Sequence, residues 1–354
     1  MSLQGLSKYY GTFCAVGDVS FIVQPGEFLT LLGPSGSGKT TILMMLAGFV
    51  QPSSGQISID GEDITHKPPH RREIGVVFQN YALFPHMTVE RNLAYPLQAR
   101  RWSRPQIACR VNEMLALVQL KEYANRYPWQ LSGGQQQRIA FARALIFDPP
   151  VVLMDEPFSS LDKQLREEMQ LEMKQLHKQL GLTVISVTHD QTEAVTMSDR
   201  IAVLSHGWLQ QVGKPQEVYT RPKSAFVARF LGDSNLLQVK PQRILGRKIQ
   251  VATPDGLLVW ASGDLLPGTK NVVCMIRPEE VYQVNDIESV ENVFDARVEA
   301  AIYQGGVTKS WLRIGANTTV LMKHHNRAGE QRFEPGEKIR IGWSAEGARL
   351  FEEP

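Results

Sequence analysis

The chain has 354 residues, 43% of them hydrophobic and 21% charged, and a formal net charge of +2 at pH 7. That length accommodates two or three domains with cores of their own, the composition is that of a soluble globular protein, and the small net charge argues against a dedicated nucleic-acid binder, whose footprint is a strong basic excess. Cys14, Cys109 and Cys274 have no metal-ligand spacing and read as inert thiols of a reducing compartment; no basic-then-apolar leader opens the chain and no run reaches the ~18 apolar residues of a membrane span, so the expectation is a cytosolic protein.

Up to about residue 235, apolar strands alternate with helical stretches, the pattern of an α/β domain with a mostly parallel sheet. A strand over Glu27 to Leu32 leads into Gly33-Pro34-Ser35-Gly36-Ser37-Gly38-Lys39-Thr40, the phosphate-loop pattern G-x-x-x-x-G-K-[ST], and then into the helical stretch Thr41 to Leu46. Gly36 and Gly38 allow the backbone N–H groups to turn toward one point, an anion nest at a helix N-terminus. There Lys39 would bridge the β- and γ-phosphates of a nucleotide, and the Thr40 hydroxyl would ligate Mg²⁺.

Ile74 to Phe78 reads as a strand that ends at Gln79, and the loop Asn80 to Met87 after it is aromatic and apolar. Gln79 could reach a metal and an attacking water, or serve as a loop hydrogen-bonder. From about 90 to 145 the chain is mostly helical, a subdomain inserted in the α/β pattern. Its basic run Arg100-Arg101-Trp102-Ser103-Arg104 reads as a solvated helix end or as a contact for anionic lipid headgroups. Within the same stretch, LSGGQQQR places Ser132, Gly133 and Gly134 just before the helical Gln135 to Leu145. Locally this is a serine-capped helix; it also has the hydroxyl, glycines and helix N-terminus of an anion site without a lysine or metal pair.

Val151 to Met154 is a buried-type strand that ends in Asp155 and Glu156, where ligands gather in open α/β sheets. Asp155 is suited to a metal, and Glu156 to orienting or deprotonating a water that attacks a γ-phosphate. Leu165, Met169, Met173, Leu176 and Leu180 mark one apolar helix face. The strand Thr183 to Val187 follows, with His189 beyond it, a residue that reads either as a γ-phosphate contact or as an ordinary loop group. After Leu236 the texture changes to short strands such as Val272 to Ile276, Ala296 to Tyr303 and Lys338 to Trp343, separated by Gly, Pro, Asp and Asn turns. This predicts an all-β domain, a small barrel or a pair of them.

The ordered set GPSGSGKTT, VVFQN, LSGGQQQR, VVLMDEP, SSLD and SVTHD resembles the ATPase subunit of an ATP-binding cassette transporter over roughly the first 235 residues. The resemblance implies a nucleotide-binding domain over 1–235, with the helical subdomain at about 90–145, and a regulatory β-barrel of oligonucleotide-binding-like fold over 236–354. It implies that Gly33 to Thr40 and Thr41 bind ATP, that Tyr10 stacks on adenine, and that Thr40, Gln79 and Asp155 hold Mg²⁺. By the same resemblance Glu156, His189 and Gln79 are catalytic, Asp162 is the D-loop aspartate and contributes to nucleotide binding, and Ser132, Gly133, Gly134 and Gln135 close over ATP held by a second copy in a head-to-tail homodimer. It further implies two integral membrane permeases, one of which places a short helix in the groove near residues 80–87, an external solute-binding protein, no nucleic-acid partner, and a location on the cytoplasmic face of the inner membrane. Met275 to Glu280, Phe230 to Asn235 and Gly342-Trp343-Ser344 are most similar to the spermidine/putrescine importer type; ferric-iron, sugar, opine and anion importers share much of the layout. A cassette ATPase of nucleic acid or the ribosome would usually carry two phosphate loops or a long coiled coil; here one phosphate loop and no extended heptad run are found.

Overall fold

The computed structural model describes residues 1–263, 271–284, 290–326 and 333–352. They divide into two units, Met1–Thr220 and Arg221–Pro354. The first unit opens with β1 (Ser2–Tyr10), β2 (Phe13–Ile22) and β3 (Phe28–Leu32), then α1 (Lys39–Ala47), β4 (Ser54–Ile59), β5 (Glu62–Asp63) and β6 (Ile74–Val77). Three helices follow, α2 (Val89–Ala99), α3 (Arg104–Leu117) and α4 (Gly133–Leu145). The chain then alternates through β7 (Val151–Asp155), α5 (Lys163–Leu180), β8 (Val184–Thr188), α6 (Gln191–Met197), β9 (Arg200–Ser205), β10 (Trp208–Gly213) and α7 (Pro215–Thr220).

Six strands form the central sheet in the order β10-β9-β3-β8-β7-β6, parallel except for β10 at the edge. β2-β1-β4-β5 form a separate antiparallel sheet. β3 and β8 are buried along their whole length, because a parallel sheet covered on both faces needs every position dry. The two-residue period then sends neighbours to opposite sides: Phe28, Val152, Met154 and Val184 join the core around α4 and α5, while Leu29, Leu31, Val151, Leu153, Ile185 and Val187 join the core around α1 and the antiparallel sheet. α1 is correspondingly apolar, with Ile42, Leu43, Met45 and Leu46 buried. It is held between the two sheets, so the loop that precedes it is fixed at the C-terminal end of β3.

On α5 the face around Met169 and Met173 is buried. The expected apolar face stops short of Leu180, which is 40% exposed, since the helix ends there and Gly181, at φ +61°, turns the chain away. The Arg100–Arg104 run is a helix junction: Arg100 pairs with Glu73 at 2.8 Å and stacks over Phe147, and Ser103 caps α3 in a box with Gln106.

The second unit consists of α8 (Ala225–Phe230), β11 (Asn235–Leu245), β12 (Lys248–Ala252), β13 (Leu258–Ser262), β14 (Val272–Ile276), β15 (Tyr282–Gln283), β16 (Asn292–Tyr303), β17 (Val307–Arg313), β18 (Thr319–His325), β19 (Lys338–Trp343) and β20 (Ala348–Glu352). β11-β12-β13-β20-β14 close a barrel, and β15-β19-β16-β17-β18 form a five-stranded open sheet, so of the expected small barrel or pair of barrels one barrel is found, accompanied by a sheet. Both bury their inward residues in one core that contains Trp343. Residues 221–235, placed with the first domain by sequence texture, group with the second unit. Ala228 packs with Met275 and Phe351, and the buried Arg277 donates to the carbonyls of Ala228 and Asp233 at 2.9 and 3.2 Å.

Candidate functional site

The adjacent strands β3, β8, β7 and β6 end level with one another: Leu32 pairs with Thr188, Val187 with Asp155, and Met154 with Val77. The residues immediately beyond these ends are therefore neighbours in space, although they come from four separate stretches of sequence. They are the loop 33–39, His189, Asp155 with Glu156, and Gln79.

Gly36 and Gly38 take φ +77° and +94°, and a Cβ on Gly38 would lie 2.5 Å from the Ala15 carbonyl oxygen. Only glycine admits that turn into α1. Lys39 is 6% exposed. Its Nζ donates to the carbonyls of Gly33 and Pro34 at 2.9 and 2.8 Å and lies 3.5 Å from Ser37 Oγ. Burial pushes its pKa down, against the attraction of Glu156 and Asp155. Among the described residues no carboxylate forms an ion pair with it. A buried ammonium whose hydrogen-bond partners are all neutral is compensated only in part by the charges of Glu156 and Asp155, and an anion in the loop would complete the compensation.

Asp155 is held in the opposite imbalance. Burial and then the charge of Glu156 raise its pKa, while a hydrogen bond from Thr40 and the charge of Lys39 lower it. Among the described residues no cluster of three or more His, Cys, Asp or Glu side chains could enclose a metal. One hard carboxylate beside a hydroxyl fits Mg²⁺, which is usually held by one or two carboxylates together with phosphates and water.

Glu156 has the backbone of a left-handed residue, φ +45°, a conformation that costs a non-glycine residue roughly 1 kcal/mol. It is locked there: its N–H donates to Val187 O at 2.9 Å, and its carbonyl accepts from the Ser159 N–H at 3.2 Å and the Ser159 hydroxyl at 3.0 Å. Strain so over-determined gathers at functional sites. The turn places the carboxylate between two groups, His189 Nδ1 at 2.9 Å from Oε1 and Gln79 Nε2 donating to Oε2 at 3.3 Å. An ionised carboxylate only accepts, so Nδ1 carries the proton and Nε2 is the imidazole atom left for another partner.

A supporting network lies behind His189. The Thr188 hydroxyl donates to Glu193 at 3.0 Å and accepts the Asp190 N–H at 3.0 Å. Asp190 caps α6 and pairs with Arg166 at 3.1 Å, and Arg166 donates to Leu161 O at 3.0 Å. Burial pushes the Glu193 carboxyl up to about 8. Sequence reading singled out neither Glu193 nor Arg166, nor the clamp by Ser159. An acid on a short helix reads as solvated, and only packing turned Glu193 inward.

Other predicted residues stand apart from this cluster. Ser132 Oγ accepts the Gln135 N–H at 3.3 Å and Gln135 Oε1 accepts the Ser132 N–H at 3.0 Å, a capping box that uses both side chains locally. No hydrogen bond joins Ser132, Gly133, Gly134 or Gln135 to residues 33–41 among those described. The Ser132 hydroxyl proton has no acceptor among the described residues, and Ser132 and Gly133 are exposed. Asp162 caps α5 through Leu165 N at 3.0 Å. Tyr10 is 52% exposed at the hairpin end, with Lys8 over its ring. The loop after Gln79 is built by the buried Asn92, which bonds both backbone groups of Phe84 at 2.8 and 3.1 Å, and by Arg143, which donates to the carbonyls of Tyr81 and Ala82. Leu83 packs into the helical core, whereas the Phe84 ring meets Tyr95 at a 60° tilt with centroids 4.8 Å apart, and Tyr95 is 44% exposed.

Residues 16–159 match the family model described as ABC transporter, and residues 274–351 the one described as TOBE domain. The spermidine/putrescine import ATP-binding protein PotA of Chromobacterium violaceum is 41% identical over 359 residues, covering 100% of this chain and 99% of that protein. Its namesake in Trichormus variabilis is 45% identical over 309 residues, covering 86% and 81%. Among solved structures, a dimeric post-hydrolysis state of the ATP-binding cassette MJ0796 bound to ADP and Pi is 34% identical with a TM-score of 0.54, over 60% of this chain and 98% of that one. CbiO1 from Clostridium perfringens, described as part of the ABC transporter complex cbiONQ, is 28% identical with a TM-score of 0.57, over 61% and 89%.

Proposed function

We propose that this chain, which belongs to the ATP-binding cassette transporter family, is the ATP-hydrolysing motor of a bacterial importer, and that its cargo is a polyamine of the spermidine or putrescine kind. The observation that carries the motor reading is the convergence of Lys39, Asp155, Glu156, Gln79 and His189 at the ends of four adjacent strands. The cargo reading rests on the full-length relatives named for spermidine and putrescine import.

In this reading Gly33 to Thr41 hold the phosphates of ATP and Tyr10 offers its exposed ring to the adenine. Thr40, Asp155 and Gln79 hold Mg²⁺, which when bound neutralises charge on the phosphates. Glu156 accepts a proton from the attacking water or orients it. His189, anchored through Nδ1, directs Nε2 at the γ-phosphate.

Ser132 and the N–H groups of Gly133 and Gly134 serve the ATP of a second copy. Their incompleteness as a local anion site is then functional, since each γ-phosphate needs two chains. ATP favours the closed pair because it binds that state better, and hydrolysis removes the group that holds it. No helix among the described residues is long and apolar enough to cross a membrane. Contact with the bilayer therefore runs through two integral membrane subunits, one docking near Phe84 and Tyr95 in the helix-in-groove manner, with a solute-binding protein on the far side. The motor works at the cytoplasmic face of the inner membrane.

The test is reconstitution with the integral membrane subunits that co-purify with it, scoring ATP-dependent uptake of labelled spermidine. Uptake of ferric iron, a sugar or an opine instead would reject the cargo and leave the motor intact. Stimulation of hydrolysis by ribosomes or DNA rather than by permeases would reject both.

A further inference from the structure

The second unit has a charge arrangement that plays no part in the nucleotide site. In β16, β17 and β19 alternate residues such as Ala296, Val298, Leu312, Ile339 and Ile341 turn into the core, which leaves the intervening positions on the outer face. Strand register sets Arg297 opposite Lys338 on one side and opposite Arg313 on the other. Three cations thus form one row across three strands, a span of about 10 Å. Arg340 stands in the next row, opposite Asp295.

Like charges set directly across strands destabilise a sheet. Here compensation is partial: Arg340 pairs with Asp295 at 3.2 Å, and Arg313 pairs with Glu299. Among the described residues neither Arg297 nor Lys338 has an acidic partner. The row forms the wall of a groove of about 880 Å³ that Gln283 and Gly315 also line.

We propose that this groove binds a small multivalent oxyanion, an oligophosphate or a polycarboxylate, with Arg297 at its centre. A guanidinium presents two parallel N–H donors to such a group, and flanking cations at strand spacing meet its remaining charges. The same field repels a polyamine, so the ligand is chemically distinct from the cargo, and the inference stands whatever the importer carries.

The test uses the full chain with Lys39→Ala, which disables the phosphate loop, titrated with sodium pyrophosphate and with citrate while NaCl holds ionic strength constant. Calorimetry should show saturable binding of one or both, and the stronger of the two identifies the class. Arg297→Gln should weaken that binding roughly tenfold or more, yet raise the melting temperature measured without anion, because the row's repulsion is gone. Lys338→Gln should act in the same direction. Arg297→Lys should bind less well than Arg297 without the gain in melting temperature, since it keeps the charge and loses the fork. Absence of saturable binding by both probes would overturn the proposal, as would binding that Arg297→Gln leaves unchanged.

Discussion

Replacing Glu156 by glutamine separates the carboxylate's chemistry from its placement. The shape is retained: the left-handed backbone is clamped by Val187 O and Ser159 through main-chain groups, and the amide oxygen still accepts from His189 Nδ1. One contact must rearrange, because the new amide N–H₂ would face the Gln79 Nε2 donor now 3.3 Å from Oε2; turning the Gln79 amide over repairs it at a cost of about 1 kcal/mol. The two charges beside the phosphate loop respond in opposite senses. Loss of the Glu156 charge removes one attraction on Lys39 but also the like charge that raises the Asp155 pKa, so Asp155 ionises more readily. What disappears is proton acceptance, typically worth about 10²–10⁴ in rate, or ~3–5 kcal/mol of barrier. Phosphate release should therefore fall by at least about a hundredfold while equilibrium binding of a fluorescent ATP analogue stays within a few-fold. Sedimentation with ATP should show a trapped dimer. Turnover near the wild-type rate would remove Glu156 from this role, and loss of ATP binding in step with turnover would show the residue to be structural.

The other expectations concern single groups. Lys39→Met should leave the melting temperature without nucleotide unchanged or higher, since it replaces a desolvated ammonium, and should abolish the ~2.7 kcal/mol of stabilisation that ATP confers at a hundred times its Kd; an undiminished ATP-induced shift in a thermal melt would contradict this. Ser132→Asp keeps a good helix cap and so should preserve the melt, yet places a carboxylate where the proposed shared site would hold the partner's γ-phosphate. Its ATPase rate should collapse, and normal turnover would refute the shared site; a one-to-one mixture with Lys39→Ala chains should leave one doubly disabled site and one with both sets intact, recovering part of the activity. Glu193 has its folded pKa raised to about 8 by burial, above its unfolded value, so its contribution is fully present below the unfolded value and lost as pH rises through about 8. Up to ~1.4 kcal/mol per pH unit is lost across that window, and Glu193→Gln should flatten the decline in urea unfolding curves. An unchanged slope would place the proton elsewhere.

The phosphate loop, the Asp155-Glu156 strand end and the change to β texture in the C-terminal part could all be recognised in sequence, because each depends on residues adjacent along the chain. A loop that cradles an anion with its own N–H groups is encoded by contiguous glycines and a lysine, and an apolar run ending in carboxylates encodes a strand with a functional end. The serine cap at Ser132 was equally visible, and for the same reason locally ambiguous: capping and anion binding use one geometry.

Gln79 and Glu156 are 77 positions apart and His189 is 33 beyond Glu156; nothing local distinguishes Gln79 or His189 from loop polar residues, or joins either to Glu156, until parallel register brings β6, β7 and β8 level. The left-handed turn of Glu156, the inward turn of Glu193 and the row of Lys338, Arg297 and Arg313 likewise belong to the tertiary structure alone. So does the assignment of residues 221–235 to the second unit, which depends on Ala228 meeting Met275 and Phe351. By itself the sequence determined which chemical groups the chain carries and the local backbone that presents them, since periodicity, glycine and capping act over a few residues. Which of those groups meet was decided by the tertiary structure, because strand register and burial are set by the packing of segments distant along the chain.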